Sequence, residues 1–379
     1  MHVTFYLKHF PAAGAPVTDG TSTAVDGLAS GLVENGVPVT VLCEGDARTS
    51  VRAPRGYGVE CFVNRKPYRT FALAPGLMRY VAEQIAPRRG VCLINGMFHP
   101  SVYAMGRYLR RHDVPYVVVP HDPYDPVVFR RNPHLKWPYW FLFERQLLQR
   151  ARAVQVLDVK HGAWLPRLGV DTRVIHTENG VAPGSVPLES ELNWRELDEP
   201  AHLMFLGRID AYNKGLDILI EAFDRVALQA DVRLTLQGPD WGDRSRLEKR
   251  AASAIAAGRV SFLAPDYERA SPRLIAEHDV FCLPSRFEGF GLSALEAMLA
   301  GRVLLVSERA GIARHIRASE CGLTVEPSAA GVARGLFALL RRRAEWREMG
   351  LAGRRYALAN LQWKNIAANA LAQYERLVA

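Results

Sequence analysis

Short β-rich runs alternate with longer amphipathic stretches along the whole chain of 379 residues. The strand candidates in the first half are HVTFYL, VTVLCEG, VECFVN, VCLING, YVVVPH, AVQVLD and RVIHTENG, and those in the second half are LMFLG, VRLTLQG, VSFLA, VFCLPS and VLLVS. Several end in glycine or a small polar residue where the next helical pattern begins. This alternation predicts an α/β protein with parallel sheets covered by helices on both faces.

A break in the pattern divides the chain into two parts. Residues 182–200, APGSVPLESELNWRELDEP, are rich in proline, glutamate and serine and show no clean period, which is typical of a linker. We therefore predict two doubly wound domains, 1–183 and 198–355, joined by a linker over 184–197. Ligands of such sheets bind outside the carboxyl ends of the strands, so we expect the site in a cleft between the domains.

Composition excludes some classes of protein. The net charge of +9 favours anionic partners such as nucleotides, nucleic acid or an acidic membrane surface. The five cysteines are scattered, without metal-binding or redox spacing, which indicates reduced thiols and a cytosolic protein. The first residues lack the layout of a signal peptide, and no apolar run approaches the roughly 18 residues of a membrane span. We expect a cytoplasmic protein that does not cross a membrane.

The densest motif is SRFEGFGLSALEAMLAG, residues 285–301, in which a strand passes through a glycine turn into a helix. Gly291 lets the backbone approach a ligand closely, and the free N–H groups at the helix start suit a diphosphate. Glu296 lies about 6 Å along that helix at 1.5 Å per residue, within reach of a ribose, and Glu288 lies near the phosphate end. An ordinary turn with two solvated acids is the alternative.

Two cations are expected at the carboxyl edge of the second sheet. In FLGRIDAYNKGLDILIEAF, Arg208 follows a strand and Lys214 precedes a helix. Both could neutralise a leaving diphosphate without a metal ion. Alternatively they are solvated loop charges.

The first half offers weaker candidates. Gly20 and Thr21 follow the first strand in a loop that lacks the G-x-G-x-x-G fingerprint, and we expect their backbone to approach the ligand. His121 ends the buried run YVVVPH, where it could hydrogen-bond a sugar or an acceptor, or be satisfied by its own loop. No D-x-D pair and no cluster of histidine and cysteine is present, so no metal site is predicted.

Residues 129–153, FRRNPHLKWPYWFLFERQLLQRARA, interleave arginine and lysine with aromatic side chains. Such a stretch can lie on an anionic membrane, with its aromatic side chains in the interface and its cations on the headgroups. It could also stack on bases, although it belongs to no recognised nucleic-acid module. A partly buried helix with a solvated basic side is the third interpretation.

Together these motifs resemble the retaining glycosyltransferases of family 4, which have the GT-B fold. The residues that carry the resemblance are the E-x7-E pair of SRFEGFGLSALEAM, the stretch FLGRIDAYNKGLDILIEAF, ENGV (178–181), QGPDWGD, and the closing NLQWKNIAANALAQYERL. The resemblance implies two Rossmann-like domains facing across a cleft, with a C-terminal helix, 356–379, crossing back to the first domain. Asp122 after the histidine and Arg314, where glutamate is usual, depart from the family pattern.

The resemblance also implies roles for individual positions. The catalytic candidates are Glu288 on the donor sugar, His121 near the reacting centre, and Arg208 and Lys214 on the diphosphate. The candidates for donor binding are Gly20, Thr21, Gly238, Phe290, Gly291, Leu292 and the ribose-binding Glu296.

The implied reaction is transfer of a hexosyl group from a UDP- or GDP-sugar to an acceptor hydroxyl, with retention of configuration and without a metal or a further cofactor. We expect a lipid-linked or oligosaccharide acceptor of cell-surface polysaccharide synthesis, with the protein peripheral at the inner face of the cell membrane and no nucleic-acid partner. A small soluble acceptor, a sugar-nucleotide epimerase of the same fold and a binding protein without activity remain alternatives.

Overall fold

The structure is a computed structural model that describes residues 1–11, 19–66, 70–181 and 186–378. The chain forms two compact units. The first unit is built from Met1–Gly180 together with Trp363–Ala379, and the second from Val181–Gln362. The chain therefore leaves the first unit and later returns to it.

Each unit is built on one sheet. The strands are β1 (His2–Tyr6), β2 (Val39–Gly45), β3 (Thr49–Arg52), β4 (Gly58–Val63), β5 (Gly90–Asn95), β6 (Tyr116–Val119), β7 (Ala153–Val156), β8 (Val174–His176), β9 (Ala201–Leu206), β10 (Val232–Gln237), β11 (Val260–Leu263), β12 (Val280–Leu283), β13 (Val303–Ser307) and β14 (Gly322–Val325). The first sheet has the order β3-β4-β2-β1-β5-β6-β7-β8 and the second β11-β10-β9-β12-β13-β14. All described pairs are parallel except β3 with β4.

Helices follow nearly every strand, as parallel connections require. They are α1 (Gly20–Glu34), α2 (Pro75–Tyr80), α3 (Pro100–Arg111), α4 (Pro126–Arg130), α5 (Pro133–Tyr139), α6 (Arg145–Gln149), α7 (Val159–Gly162), α8 (Trp164–Arg167), α9 (Leu216–Ala227), α10 (Arg244–Arg250), α11 (Ala252–Ala256), α12 (Ser271–Ile275), α13 (Leu292–Leu299), α14 (Ala313–Ser319), α15 (Ala329–Arg341), α16 (Trp346–Asn360) and α17 (Trp363–Val378). Shorter helical turns are Val81–Ile85, Trp140–Glu144, Glu189–Glu191 and Arg343–Glu345. Strands β6 and β12 are buried at every position because helices cover both faces.

The returning helix α17 packs against α1 within the first unit, and two glycines make the contact possible. A Cβ atom on Gly27 would lie 2.0 Å from Cε2 of Trp363, and one on Gly31 would lie 2.5 Å from the carbonyl oxygen of Trp363. Asn35, at the end of α1, donates its amide to the carbonyls of Gly31 and Lys364. The helix pattern of α1 therefore contains glycine where the backbone of α17 approaches.

The segment expected to be a linker is packed where it is described. Arg195 forms an ion pair with Asp279 at 3.2 Å. The buried guanidinium of Arg302 lies 5.1 Å from the ring centroid of Trp194 and donates to the Asn193 carbonyl at 2.7 Å. Residues 186–197 thus belong to the second unit, because their side chains supply part of its packing.

The C-terminal helix also differs from its predicted bounds of 356–379. α16 runs on to Asn360 and packs against α13 and α14 of the second unit, and α17 begins only at Trp363. The division lies at Leu361 and Gln362, where Val181 donates its N–H to the Leu361 carbonyl at 2.7 Å. Residues 356–360 therefore lie with the second unit.

Candidate functional site

The glycine turn of the second unit connects β12 to α13. Gly291, the residue before the helix, has φ +104°, a conformation that residues with a side chain rarely adopt. A Cβ on Gly311 would lie 2.5 Å from the Gly289 carbonyl oxygen, and Ile312 donates its N–H to the Phe290 carbonyl at 2.9 Å. The turn is therefore held against a second backbone segment, and the first N–H groups of α13 lie at the sheet edge.

The predicted cation Lys214 meets the glycine turn at this edge. Nζ of Lys214 lies 2.7 Å from Oε2 of Glu288, and the Ser285 hydroxyl donates to the same oxygen at 3.0 Å. Both side chains of the ion pair are largely buried, so the pair is shielded from solvent. Strand β9 lies next to β12 in the sheet, which brings the loop after β9 beside the turn after β12.

A second ion pair fixes the turn. Arg286 binds both oxygens of Asp217 with two hydrogen bonds of 2.7 and 2.8 Å, the bidentate geometry that a guanidinium favours. The backbone N–H of Arg286 also donates to the Asn213 carbonyl at 3.0 Å. Neither Arg286 nor Asp217 was predicted to have a role, because nothing in the sequence indicated that α9 and the turn touch.

Arg208 lies on the same edge with its guanidinium 4.9 Å from the ring centroid of the exposed Trp241. A Cβ on Gly238 would lie 2.0 Å from the Gly207 carbonyl oxygen. The loops after β9 and β10 therefore touch through backbone, which is a packing reason for glycine at position 238. A role of Gly238 in donor binding stays a prediction.

Glu296 lies in the second turn of α13 and is half-buried. Burial raises the pKa of its carboxyl to about 7, while a hydrogen bond with Ser271 lowers it. Of the other predicted donor residues, Phe290 is buried, and Leu292 is half-buried as the first residue of α13. These residues and Arg208, Lys214, Glu288 and Gly291 all lie in the segments that follow the neighbouring strands β9 and β12.

In the first unit His121 follows β6 in the left-handed region, with φ +65°. Its Nε2 lies 2.8 Å from Oδ1 of Asn95, the last residue of β5. Burial lowers the pKa of His121 to about 4, against a smaller opposing effect of Asp19. The imidazole is therefore neutral at physiological pH, and Asn95 is a neighbour that the sequence did not identify.

Gly20 and Thr21 are the first residues of α1. Asp19 caps that helix, since its carboxylate accepts the Ser22 N–H at 2.9 Å. Residues 12–18, the rest of the predicted glycine loop, lie outside the described residues. The structure places Gly20, Thr21 and His121 in the first unit and brings Asp19 close enough to His121 to affect its pKa.

No group of three or more histidine, cysteine, aspartate or glutamate side chains suited to a metal ion occurs among the residues that the structure describes. All five cysteines are free thiols, four of them buried.

Two α/β units, each built on a largely parallel sheet, are the architecture of the GT-B glycosyltransferases that this chain resembles in fold. The model for Glycosyltransferase Family 4 matches residues 18–184, and the model for Glycosyl transferases group 1 matches residues 200–342. This chain belongs to glycosyltransferase family 4.

Relatives extend this finding. The chain is 31% identical over 204 residues to the phosphatidyl-myo-inositol mannosyltransferase of Mycobacterium tuberculosis, a match of 51% of this chain and 53% of that protein. It is 29% identical over 218 residues to the MMP alpha-(1->4)-mannosyltransferase of Mycolicibacterium hassiacum, covering 56% and 48%. The chain thus spans about half the length of these curated relatives. Its fold is similar to sucrose-phosphate synthase from Thermosynechococcus elongatus, with a TM-score of 0.77, 20% identity and coverage of 99% and 98%.

Proposed function

We propose that this protein is a retaining hexosyltransferase that uses a nucleotide diphosphate sugar as donor. The observation that carries the proposal is the cluster of Arg208, Lys214 and the N-terminus of α13 at one sheet edge. These groups supply two positive charges and free N–H donors, which is what a departing diphosphate requires. With this charge neutralisation, the reaction has no need of a divalent cation.

The ion pair of Lys214 and Glu288 suggests how the donor is taken up. In the structure the Lys214 ammonium lies 2.7 Å from the Glu288 carboxylate, which neutralises its charge. On donor binding, diphosphate oxygens replace Glu288 as the partner of Lys214, and Glu288 is released to accept a hydrogen bond from a sugar hydroxyl. Glu296, in its ionised form, accepts hydrogen bonds from the ribose.

In the chemical step the bond between the anomeric carbon and the diphosphate oxygen breaks, and the oxygen keeps the electron pair. The acceptor hydroxyl then bonds to the anomeric carbon on the same face. Its proton passes to the leaving phosphate oxygen, so the acceptor becomes a glycoside and the donor a nucleoside diphosphate. Arg208 and Lys214 stabilise the charge that develops on the leaving group.

For the acceptor, we propose a lipid-linked molecule at an anionic membrane. The relative from Mycobacterium tuberculosis is named for a phosphatidylinositol lipid. The first unit also exposes four apolar side chains on the helical segment that begins with α5, which we call the α5 face: Leu135, Trp137, Phe141 and Leu142, with relative exposures of 60%, 38%, 59% and 59%. Arginines before and after this segment in the sequence, at positions 130, 131, 150 and 152, are exposed as well. Apolar side chains bordered by cations match the interface of an anionic bilayer.

This binding would be peripheral. None of the helices in the described part of the chain is long and apolar enough to cross a membrane. A small acceptor remains the alternative, because the other mannosyltransferase relative is not named for a lipid.

The test is a panel of UDP-, GDP- and ADP-sugars with wild type and the Lys214→Ala variant. A donor at 100 times its dissociation constant stabilises the protein by about 2.7 kcal/mol, which a thermal shift detects. Lys214→Ala should lose that shift and most of the turnover, because the diphosphate loses a charge-assisted partner. Lys249→Ala, an exposed lysine on α10, is the matched control. Unchanged turnover in Lys214→Ala would refute the diphosphate site.

The same panel separates an epimerase from a transferase. An epimerase converts the nucleotide sugar without an acceptor, whereas a transferase releases the nucleoside diphosphate at a useful rate only when an acceptor is present.

A further inference from the structure

Two strand ends meet beside a small cavity in the first unit. β5 ends at Asn95, and His121 follows β6 by two residues. The two strands are parallel neighbours with Asn95 paired to Val119, so both side chains lie at the carboxyl edge. They line the cavity together with polar side chains that include Thr177 and Asn179.

The hydrogen bonds of Asn95 determine which way its amide is turned. Nδ2 donates to the carbonyl of Tyr6 and to that of Leu93, both at 3.1 Å. An amide nitrogen has two hydrogens, and both are used here. The reversed amide would place Oδ1 against two carbonyl oxygens, which repel it. Oδ1 therefore faces His121 and acts only as an acceptor.

This orientation determines the tautomer of His121. Since Oδ1 accepts, the ring nitrogen 2.8 Å away, Nε2, must carry the proton. The ring is neutral at physiological pH, because burial lowers the pKa of His121 to about 4. In a neutral imidazole with Nε2–H, the other nitrogen, Nδ1, has the lone pair.

The backbone of His121 has an uncommon conformation. The left-handed region is unfavourable for a residue with a side chain, which stays there only when its surroundings hold it. The hydrogen bond to Asn95 is one of the interactions that hold it. The ring orientation is thus set by β5, one strand away in the sheet.

We propose that Asn95 is a positioning residue that holds His121 as the Nε2–H tautomer, so that Nδ1 accepts a hydrogen bond from a hydroxyl of a bound sugar. A lone pair at Nδ1 attracts a hydroxyl and repels a phosphate oxygen. His121 thus contributes sugar recognition and no positive charge to the reaction. That ligand class rests on the proposed function, whereas the tautomer does not.

The tautomer is tested first, in the wild-type protein. Two-dimensional ¹⁵N NMR of histidine-labelled protein distinguishes a protonated ring nitrogen from one with a lone pair. His121→Asn identifies the His121 signals, since asparagine tolerates the left-handed region. We expect protonated Nε2, unprotonated Nδ1 and no titration between pH 5 and pH 8. A ring protonated at Nδ1, or charged at pH 7, would overturn the inference whatever reaction the protein catalyses.

The positioning role is tested with Asn95→Asp. The new carboxylate favours a charged imidazole, which has no lone pair at Nδ1. We expect the kcat of Asn95→Asp to fall about 100-fold near pH 6, because a misplaced or misprotonated group costs this much. The kcat of the variant should recover as pH rises, whereas that of wild type should change little. The KM for the donor should change less than kcat. Asn35→Asp is the matched control, since Asn35 also donates its amide to two carbonyls but lies at the end of α1.

The outcomes separate the two proposals. If wild type transfers hexose and Asn95→Asp keeps its kcat and pH profile, the positioning role is wrong. If no nucleotide sugar is bound or turned over by wild type, the proposed function is wrong, while the NMR result still decides the tautomer.

Discussion

Glu144 is an acidic residue in the interior of the first unit. Its carboxyl is fully buried and accepts hydrogen bonds from the Tyr124 hydroxyl at 2.6 Å and the Phe98 N–H at 2.9 Å, both at Oε1. Among the described residues, Oε2 has no hydrogen-bond partner. Burial raises the pKa of Glu144 to about 7, and the two hydrogen bonds only partly oppose this effect. A buried acid of this kind makes stability depend on pH.

Glu144→Gln should therefore stabilise the protein at high pH. Below pH 4.5 the carboxyl is protonated in the folded and unfolded states. Between pH 4.5 and about 7 it ionises first in the unfolded chain, so the free energy of unfolding falls as pH rises. Above pH 7 the free energy of unfolding of the wild-type protein is lower by about 3 kcal/mol. Glutamine does not ionise, so the variant avoids this loss. Urea unfolding of both proteins at pH 5 and pH 8 measures the effect, and an equal difference at the two values would show that Glu144 does not titrate.

At the scale of elements, the contact of α1 with α17 depends on the absence of side chains at Gly27 and Gly31. The two glycines are evident in the sequence of α1, but their packing partner is not. The partner is the segment that begins at Trp363, more than 300 residues further along the chain. Only the returning chain brings the two helices together.

Gly27→Ala should destabilise the first unit by about 1–3 kcal/mol, because a Cβ at this position overlaps the Trp363 indole. In a Trp363→Leu background the same change should cost much less, since the overlapping ring atoms are gone. A double-mutant cycle by chemical unfolding gives the coupling energy. Additive effects of the two changes would mean that the helices do not meet here.

Two strands were not predicted, β3 and β14. β3 is exposed at all four positions, and β14 is half-buried throughout. Both lie at sheet edges, where a strand has a neighbouring strand on one side only, so an apolar run is not required. Every inner strand of both sheets was predicted, whereas of the four edge strands only β8 and β11 were. The pattern therefore predicts the centre of a sheet better than its edges.

The sequence of residues 129–153 allowed three interpretations. In the structure, some side chains of this segment are buried and others are exposed. Trp140 and Glu144, at the ends of a π-helical turn, are buried, whereas Phe141 and Leu142 between them are exposed. The helical segment thus anchors one side in the first unit and leaves an apolar side uncovered.

At the scale of the whole molecule, the net charge of +9 and the α5 face lead to one prediction about membranes. The protein should sediment with vesicles that contain phosphatidylglycerol and much less with pure phosphatidylcholine. Binding should weaken at high salt, where charges are screened beyond a few ångströms.

The double change Phe141→Ser and Leu142→Ser should reduce this binding by about tenfold per side chain, because the variant buries less apolar surface in the bilayer. Leu228→Ser is the matched control, since Leu228 is 85% exposed in the second unit. If the control loses as much binding as the double variant, or neither loses any, the α5 face is not the membrane surface.

The sequence by itself determined the class of fold and the family. Apolar runs that alternate with helical periods imply parallel sheets, and residues that follow such runs must lie at the carboxyl edge. Lys214, Glu288 and His121 could be chosen as candidates in this way, because each is local to a strand end.

Only the tertiary structure decided which of these residues touch. Strand order brings β9 beside β12 and thereby joins Lys214 to Glu288, 74 positions away. It brings β5 beside β6, so that Asn95 sets the tautomer of His121. Partner choice depends on the order of strands in a sheet, and many orders are compatible with the same succession of apolar runs. The candidate residues are therefore encoded locally, whereas their charges, tautomers and partners arise from long-range packing.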